Sequence, residues 1–345
     1  MRIGVTTNSL AKGGGMERQA YDIIEGLAKR GFRVTVFTRK FDPSLPLIGR
    51  LDKVAPVRHP YIPGKLRDKF FSRAVDRLRK KFRLDIVISC NRIENSEIVV
   101  CGGDHLGYLA GMGLSSGWTD RLHVKMEQRQ FGGAKRIAVC SGMIRDELVA
   151  LYGIPPERIT VLYPAADLNR FRPASGEERQ RLRKDFGFAP DRKYFLFPSG
   201  AHIRKGLPFL RSFFEKTDLP VALAVAGREA PAGRNIMVFG YAPSIEDLYR
   251  ASDAVVMASR YEPFGMIGVE AALCGIPSIL TQNMGCCEAL TAPALLPIRQ
   301  DGKTDLENAA RTVLATPWQE SVDFRDSVAY DPSPDAYVDA LVKLF

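Results

Sequence analysis

Short apolar runs rich in β-branched residues alternate twice with helical segments along the 345 residues, and this alternation constrains the fold more than any other feature. A parallel sheet covered by helices needs such runs, because its strands are buried on both faces. In the first series the pattern predicts strands at 3–7, 33–38, 85–89, 98–101 and 136–140, and helices at 17–30, 65–82 and 142–152. The second series predicts strands at 194–198, 221–226, 236–239, 254–257 and 278–280, with helices at 206–215, 244–251 and 266–274. Between them, Tyr163 through Arg183 is charged, irregular and broken by Pro164 and Pro173, as in an interdomain linker. A chain of this length exceeds what one hydrophobic core usually serves. Two α/β domains are therefore expected, 1–165 and 166–332, followed by a last helix at 333–345.

The most specific chemistry lies in Ser259-Arg-Tyr-Glu262-Pro-Phe-Gly-Met266-Ile-Gly-Val-Glu270. The apolar run before it reads as a buried strand, so Glu262 falls in the loop beyond that strand's carboxyl end, where open α/β sheets bind ligands. Pro263 and Gly265 break the chain, and Glu270 lies about a turn into the helix that follows. The first amides of that helix, at Phe264, Gly265 and Met266, are suited to a phosphate. Two carboxylates that accept from sugar hydroxyls beside a phosphate cradle suggest a nucleotide-sugar site.

Other loops follow strands in the same way. Gly13-Gly14-Gly15-Met16-Glu17-Arg18 lets the backbone approach a ligand closely. It lacks the GxGxxG spacing, so it is not the dinucleotide fingerprint. Ser199-Gly-Ala-His202-Ile-Arg204-Lys205-Gly206 sets two cations where a leaving diphosphate accumulates charge. Gly102-Gly-Asp104-His105 brings a carboxylate and an imidazole to a strand end, with Asp104 the first choice and His105 the second for orienting the sugar or moving the acceptor proton.

The string from Glu262 to Glu270, continued by Ala271-Ala-Leu-Cys-Gly275-Ile-Pro277, resembles the Glu-x7-Glu signature of retaining glycosyltransferases of family 4. The resemblance spans nearly the whole chain and is sharpest from 194 to 290. It implies the GT-B fold, two Rossmann-like parallel-sheet domains facing a central cleft, with an acceptor-binding first domain, a nucleotide-sugar-binding second domain and a terminal helix crossing back to the first. It further implies that Lys205 and Arg204 serve the diphosphate, Glu262 the transferred sugar and Glu270 the ribose. The glycine loop, Gly14 and Gly15 above all, would border the donor, with Lys12 and Gln19 contributing more loosely. Many members carry an Arg just after the strand where this chain has Ser199 or Gly200, which leaves Arg204 as the substitute. Val161-Leu-Tyr-Pro-Ala-Ala-Asp167-Leu-Asn-Arg-Phe171 resembles the family's domain crossing, and Gly285-Cys286-Cys287-Glu288 its Gly-Gly-Glu loop with cysteine in place of the second glycine. Within the family, Gly14, Gly15, Arg18, Asn91, Arg92 and Asp104 look most like the lipopolysaccharide core glucosyltransferases. The implied activity is transfer of a hexose, with UDP-glucose as donor, to a glycolipid acceptor in the heptose region of the core. No metal and no cofactor are expected. Capsule or exopolysaccharide transfer, or a non-catalytic sugar-nucleotide or lipid-binding protein on the same scaffold, are the alternatives.

Charge points to a surface. Of the 49 basic and 39 acidic residues, which leave a net charge of +10, nine basic and two acidic fall in 65–83. Leu66, Phe70, Ala74, Leu78 and Phe82 recur there at helical spacing. Such a helix either packs its stripe on the sheet and solvates its charges, or lies on anionic lipid through Lys65, Arg67, Lys69, Arg73, Arg77, Arg79, Lys80 and Lys81. No nucleic-acid-binding motif accompanies the charge. No run approaches a membrane span, and the N-terminal residues lack a signal peptide's long apolar region. The expectation is a cytoplasmic protein, peripheral on the inner membrane. The six cysteines show no CxxC and no His partners at metal spacing, so they read as reduced packing residues.

Overall fold

The structure is a computed structural model that describes residues 1–11, 13, 15–58, 61–317 and 324–345, without the side chain of Lys65. The chain divides into two compact units, Met1–Ala165 with Pro332–Phe345, and Ala166–Asp331.

The first unit is a seven-stranded parallel sheet in the order β3-β2-β1-β4-β5-β6-β7. Its strands are β1 (Arg2–Leu10), β2 (Arg33–Phe41), β3 (Lys53–Pro56), β4 (Ile86–Ser89), β5 (Ile98–Cys101), β6 (Arg136–Val139) and β7 (Ile159–Val161). The helices are α1 (Met16–Lys29), α2 (Arg67–Lys81), α3 (His105–Met112), α4 (Trp118–Gly133) and α5 (Gly142–Tyr152). The pattern misses both edge strands. β3 begins with exposed Lys53 and ends in Pro56, which has no N–H to give a ladder and suits an edge. It also misses α4, whose buried face mixes Met126 and Phe131 with Glu127 and Gln130 and so carries no apolar period.

The stripe expected of α2 is rotated. Phe71 and Val75 are fully buried against Phe37, Val87 and Ile93, with Ala74, Leu78 and Phe82 packed alongside, whereas Leu66 is exposed. One face of this helix therefore belongs to the core.

The second unit is a six-stranded parallel sheet ordered β10-β9-β8-β11-β12-β13. It comprises β8 (Lys193–Ser199), β9 (Val221–Gly227), β10 (Ile236–Gly240), β11 (Ala254–Met257), β12 (Ser278–Thr281) and β13 (Leu295–Ile298). Its helices are α6 (Gly176–Asp185), α7 (Leu207–Phe214), α8 (Ile245–Ala251), α9 (Ile267–Leu273) and α10 (Lys303–Ala315). The irregular stretch predicted through Arg183 thus ends earlier, because 176–185 is helical. The segment is polar in sequence because it docks by charge. Arg179, 4% exposed, donates to the Arg250 and Ser252 carbonyls and pairs with Asp253 at 2.8 Å, while Arg183 reaches the other Asp253 oxygen at 3.0 Å.

The last helix, α11 (Pro334–Val342), belongs to the first unit and packs on α1. Val338 lies so close to Gly26 that a Cβ there would sit 2.6 Å from its methyl. Arg30 adds ion pairs to Asp335 and Asp339 at 3.3 and 2.7 Å. Numbered from its first strand, each sheet runs 3-2-1-4-5, so each has a switch point beside that strand, where α/β sheets hold ligands.

Candidate active site

In the second unit the switch point falls between β8 and β11. The loop after β8 carries Arg204 and Lys205, and the loop after β11 carries Glu262. Gly206 ends the first loop at φ +82°, where a Cβ would collide with the Ala258 carbonyl. Only glycine lets the two loops close on each other. Arg204 donates through Nη1 to Glu262 Oε2 at 2.8 Å and to the Tyr261 carbonyl at 2.7 Å. The backbone reinforces the pairing, since Arg260 N–H donates to the Arg204 carbonyl at 2.9 Å.

Lys205 Nζ donates to the Pro198 carbonyl at 3.1 Å. Burial pushes its pKa down, Arg204 adds to this, and Glu262 and Glu270 oppose it. Both glutamates of the motif therefore act electrostatically on one ammonium. Gly265 turns the chain after Glu262 at φ +88°, with Met284 and the Glu262 stem against its α-carbon. Cys286 N–H donates to the Phe264 carbonyl and Gly285 N–H to the Glu262 carbonyl, at 2.8 and 3.1 Å. The Gly285-Cys-Cys-Glu loop thus braces the turn from behind. No disulfide links the six cysteines, and five of them are buried.

Glu270 accepts a hydrogen bond from Tyr249 Oη at 2.7 Å. Burial raises its pKa, and this bond, Arg170 and Lys205 lower it. Tyr249 is itself buried and meets Phe171 edge-on at 5.6 Å. The sequence gives no sign of Tyr249, because one aromatic on a seven-residue helix reads as core. Asp167 and Phe171, by contrast, keep structural jobs, with Asp167 closing the turn through the Arg170 and Phe171 amides.

In the first unit the switch point falls between β1 and β4. Asn91, after β4, donates to Asn8 at 3.2 Å and accepts from Thr6 at 2.5 Å. Arg92 bonds Glu127 at 2.6 Å and Asp68 at 3.3 Å. Asn8, Asn91, Arg92, Glu127, Met16 and Gly102 are among the residues that line a cavity of about 290 Å³. Gly15 caps α1 at φ +56°. Lys12 and Gly14 lie outside the described residues.

Two of the residues singled out in this unit already have structural partners. Gln19 is buried and its Nε2 donates to Tyr337 Oη at 2.9 Å, so it fastens α11 to α1 and is not offered to a ligand. Asp104 is 4% exposed, and its carboxylate accepts from Gly107 N–H at 2.7 Å as the N-cap of α3. Burial raises its pKa, opposed by hydrogen bonds from its neighbours and reinforced by the charge of Glu127. One oxygen of this carboxylate therefore serves the helix, while the other, Oδ2, is enclosed without a hydrogen-bond partner. His105 is more open. Its Nε2 bonds Asp120 at 2.8 Å, and its ring meets His123 edge-on at 5.2 Å. Among the described residues, His105, Asp120 and His123 form the one group with metal-ligand composition, their ligating atoms lying within 4.8 Å of one another.

Two parallel sheets of Rossmann order, one carrying an Arg-Lys loop opposed to two glutamates at its switch point, define a glycosyltransferase of the GT-B class. Residues 13–170 match Glycosyltransferase Family 4, and 178–294 match Glycosyl transferases group 1. A probable transglycosylase of Burkholderia thailandensis is 39% identical over 353 residues, covering 100% of this chain and 96% of the relative. The chain belongs to glycosyltransferase family 4. A D-inositol 3-phosphate glycosyltransferase of Catenulispora acidiphila is 26% identical over 343 residues, covering 84% of this chain and 81% of the relative. Among solved structures, WaaG, a glycosyltransferase involved in lipopolysaccharide biosynthesis, superposes with a TM-score of 0.77 at 18% identity, covering 98% of this chain and 95% of that one. Anabaena HepE in complex with UDP and glucose superposes with a TM-score of 0.74 at 16% identity, covering 99% and 98%.

Proposed function

We propose that this glycosyltransferase is a retaining enzyme that moves glucose from UDP-glucose to a glycolipid, the heptose region of a lipopolysaccharide core. The observation that carries the reading is the second unit's switch point, where Arg204 pairs with Glu262 at 2.8 Å and the adjacent Lys205 donates to the Pro198 carbonyl at 3.1 Å. The second unit takes the donor and the first takes the acceptor.

Lys205 meets the diphosphate, whose two charges reverse the cost of burying an ammonium. Arg204 reaches the same group only by sharing its guanidinium with Glu262, and that exchange frees a Glu262 oxygen for a hydroxyl of the glucose. The amides of Phe264, Gly265 and Met266 face the phosphates. Glu270, oriented by Tyr249, accepts from the ribose. In the reaction the bond from the anomeric carbon to the phosphate oxygen breaks. The acceptor oxygen bonds the same face of that carbon, and its proton passes to the departing phosphate. Two cationic side chains do the work a divalent ion does elsewhere, so the reading needs no metal.

The basic face of α2 completes the reading. Arg67, Arg73, Arg77, Lys80 and Lys81 are exposed, Lys69 is half-buried, and the inward face is occupied by Phe71 and Val75. Arg79 is paired with Glu97 at 2.7 Å and contributes less. The side chain of Lys65 lies outside the described residues. The helix rests its charges on anionic lipid at the cytoplasmic face of the inner membrane without burying its apolar stripe there. No helix among the described residues is long and apolar enough to cross a membrane.

Thermal shift with a panel of nucleotide sugars, followed by transfer to truncated lipopolysaccharides and to capsule and exopolysaccharide intermediates, tests the reading. UDP-glucose should raise the melting temperature most and label the heptose-terminated acceptor. A panel in which no nucleotide sugar stabilises the protein would reject the donor, and labelling of another polysaccharide would move the acceptor.

A further inference from the structure

A cavity of about 860 Å³ opens in the first unit beyond the carboxyl ends of β1, β2 and β3, and it shares Asn8 with the neighbouring cavity at the Asn91 switch point. Its walls include four cations, Arg39, Lys40, Arg58 and Arg67, and a single carboxylate, Glu17. The cations are not equivalent. Arg39 is half-buried, paired with Asp68 and stacked 5.1 Å over the Phe71 ring, so it is fixed and largely neutralised. Arg67 is aimed by its Nε, which donates to the Ile62 carbonyl at 3.0 Å. Lys40 and Arg58 are exposed on the adjacent ends of β2 and β3. The remaining lining mixes polar groups, Asn8 and Ser9, with the apolar faces of Phe41 and Val57.

Cations gathered on one wall, with hydroxyl-bonding groups and apolar surface beside them, match a ligand that is anionic at one end and a sugar at the other. We infer that this cavity holds a phosphate-bearing sugar, with Lys40 and Arg58 on the phosphate and Asn8, Ser9 and Glu17 on the hydroxyls. The inference rests on the proposed division of labour between the units and gives the acceptor a chemical class: a phosphorylated sugar rather than a neutral one.

The test uses the full chain with saturating UDP, which occupies the donor diphosphate site, and titrates mannose 6-phosphate, mannose and inorganic phosphate by NMR. Mannose 6-phosphate should bind at least about tenfold more tightly than either of the others, as charge-assisted hydrogen bonds require. The double variant Lys40→Ala/Arg58→Ala should lose about tenfold or more of that affinity and keep its affinity for UDP, which also certifies its fold. Lys205→Ala should do the opposite, losing UDP and keeping the sugar phosphate, so failure of the donor assignment reads separately. Equal binding of mannose and mannose 6-phosphate, inorganic phosphate binding as well as the sugar phosphate, or an unaffected double variant would each overturn the inference. Binding of phosphatidylglycerol vesicles through Lys40 and Arg58 with no sugar-phosphate binding would overturn it in favour of a lipid surface.

Discussion

The two units share a strand order and differ in how they treat charge at the sheet's carboxyl edge. In the second unit every charged group of the site already has a partner: Arg204 holds Glu262, Tyr249 holds Glu270, and the Pro198 carbonyl holds Lys205. In the first unit Lys40 and Arg58 stand exposed around a cavity of about 860 Å³. Once a donor has exchanged for those partners, the cations of this wired site are held in place as charge develops in the transition state, which suits the donor side of the proposed reaction. Side chains exposed around an open cavity are less constrained by the fold and tolerate substitution more readily. On the proposed reading, substitutions in the second unit should act on donor binding and turnover, whereas those in the first should act on which acceptor is taken.

Lys205→Ala should break the wired site most severely. Removing one preorganised cation from a leaving diphosphate is expected to lower kcat by about 10²- to 10³-fold. A KM effect alone, with kcat unchanged, would mean that Lys205 binds donor and transition state alike.

The pH profile sharpens the same point. Burial depresses the Lys205 pKa below the ordinary lysine value in the free protein, so its charge is lost earlier as pH rises. A bound diphosphate stabilises the ammonium and moves that loss upward. The alkaline limb of kcat/KM should therefore lie below that of kcat, since the first reports the free enzyme and the second the complex. Coincident limbs would show that Lys205 does not meet the donor's charge.

The fold was legible because parallel strands buried on both faces advertise themselves, as β8, β9 and β11 do with unbroken apolar runs. What escaped was structure held by polar groups. α6 docks through Arg179 on Asp253, and α4 turns Glu127 and Gln130 inward, so neither leaves an apolar period. The grouping of Glu262 with Arg204 and Lys205 was legible because loop motifs there coincide with strand ends. The site was illegible where a residue's role depends on what lies opposite in space. Nothing in the sequence separates Tyr249, which holds Glu270, from a core aromatic, nor Asp104, which caps a helix, from a free carboxylate.

Tyr249→Phe probes the wiring at lower cost. It removes one hydrogen bond to a carboxylate that burial already pushes toward protonation. The loss is worth about 1.5 kcal/mol, or roughly tenfold, and should fall on the KM for the donor. The acid limb of kcat/KM should also move to higher pH, because the lost bond favoured the charged form of Glu270. An unchanged acid limb would remove Glu270 from donor binding.

The smallest effect is expected at Asp104→Asn. Asparagine caps helices about as well as aspartate, so the Gly107 amide keeps its acceptor. Since burial raises the Asp104 pKa, the folded state favours the proton more than the unfolded state does. The aspartate's contribution to stability is therefore greatest below its unfolded pKa and declines as pH rises through the folded value. The asparagine variant has no charge to bury, so its melting temperature relative to wild type should rise from acid to neutral pH while activity stays within about twofold, as expected of a near-isosteric exchange that keeps the cap. Loss of about a hundredfold in kcat with an unaltered melting temperature would instead return the carboxylate to the chemistry, at the level expected of a general acid or base. The comparison between the units would then fail, because the first would also hold a wired catalytic group.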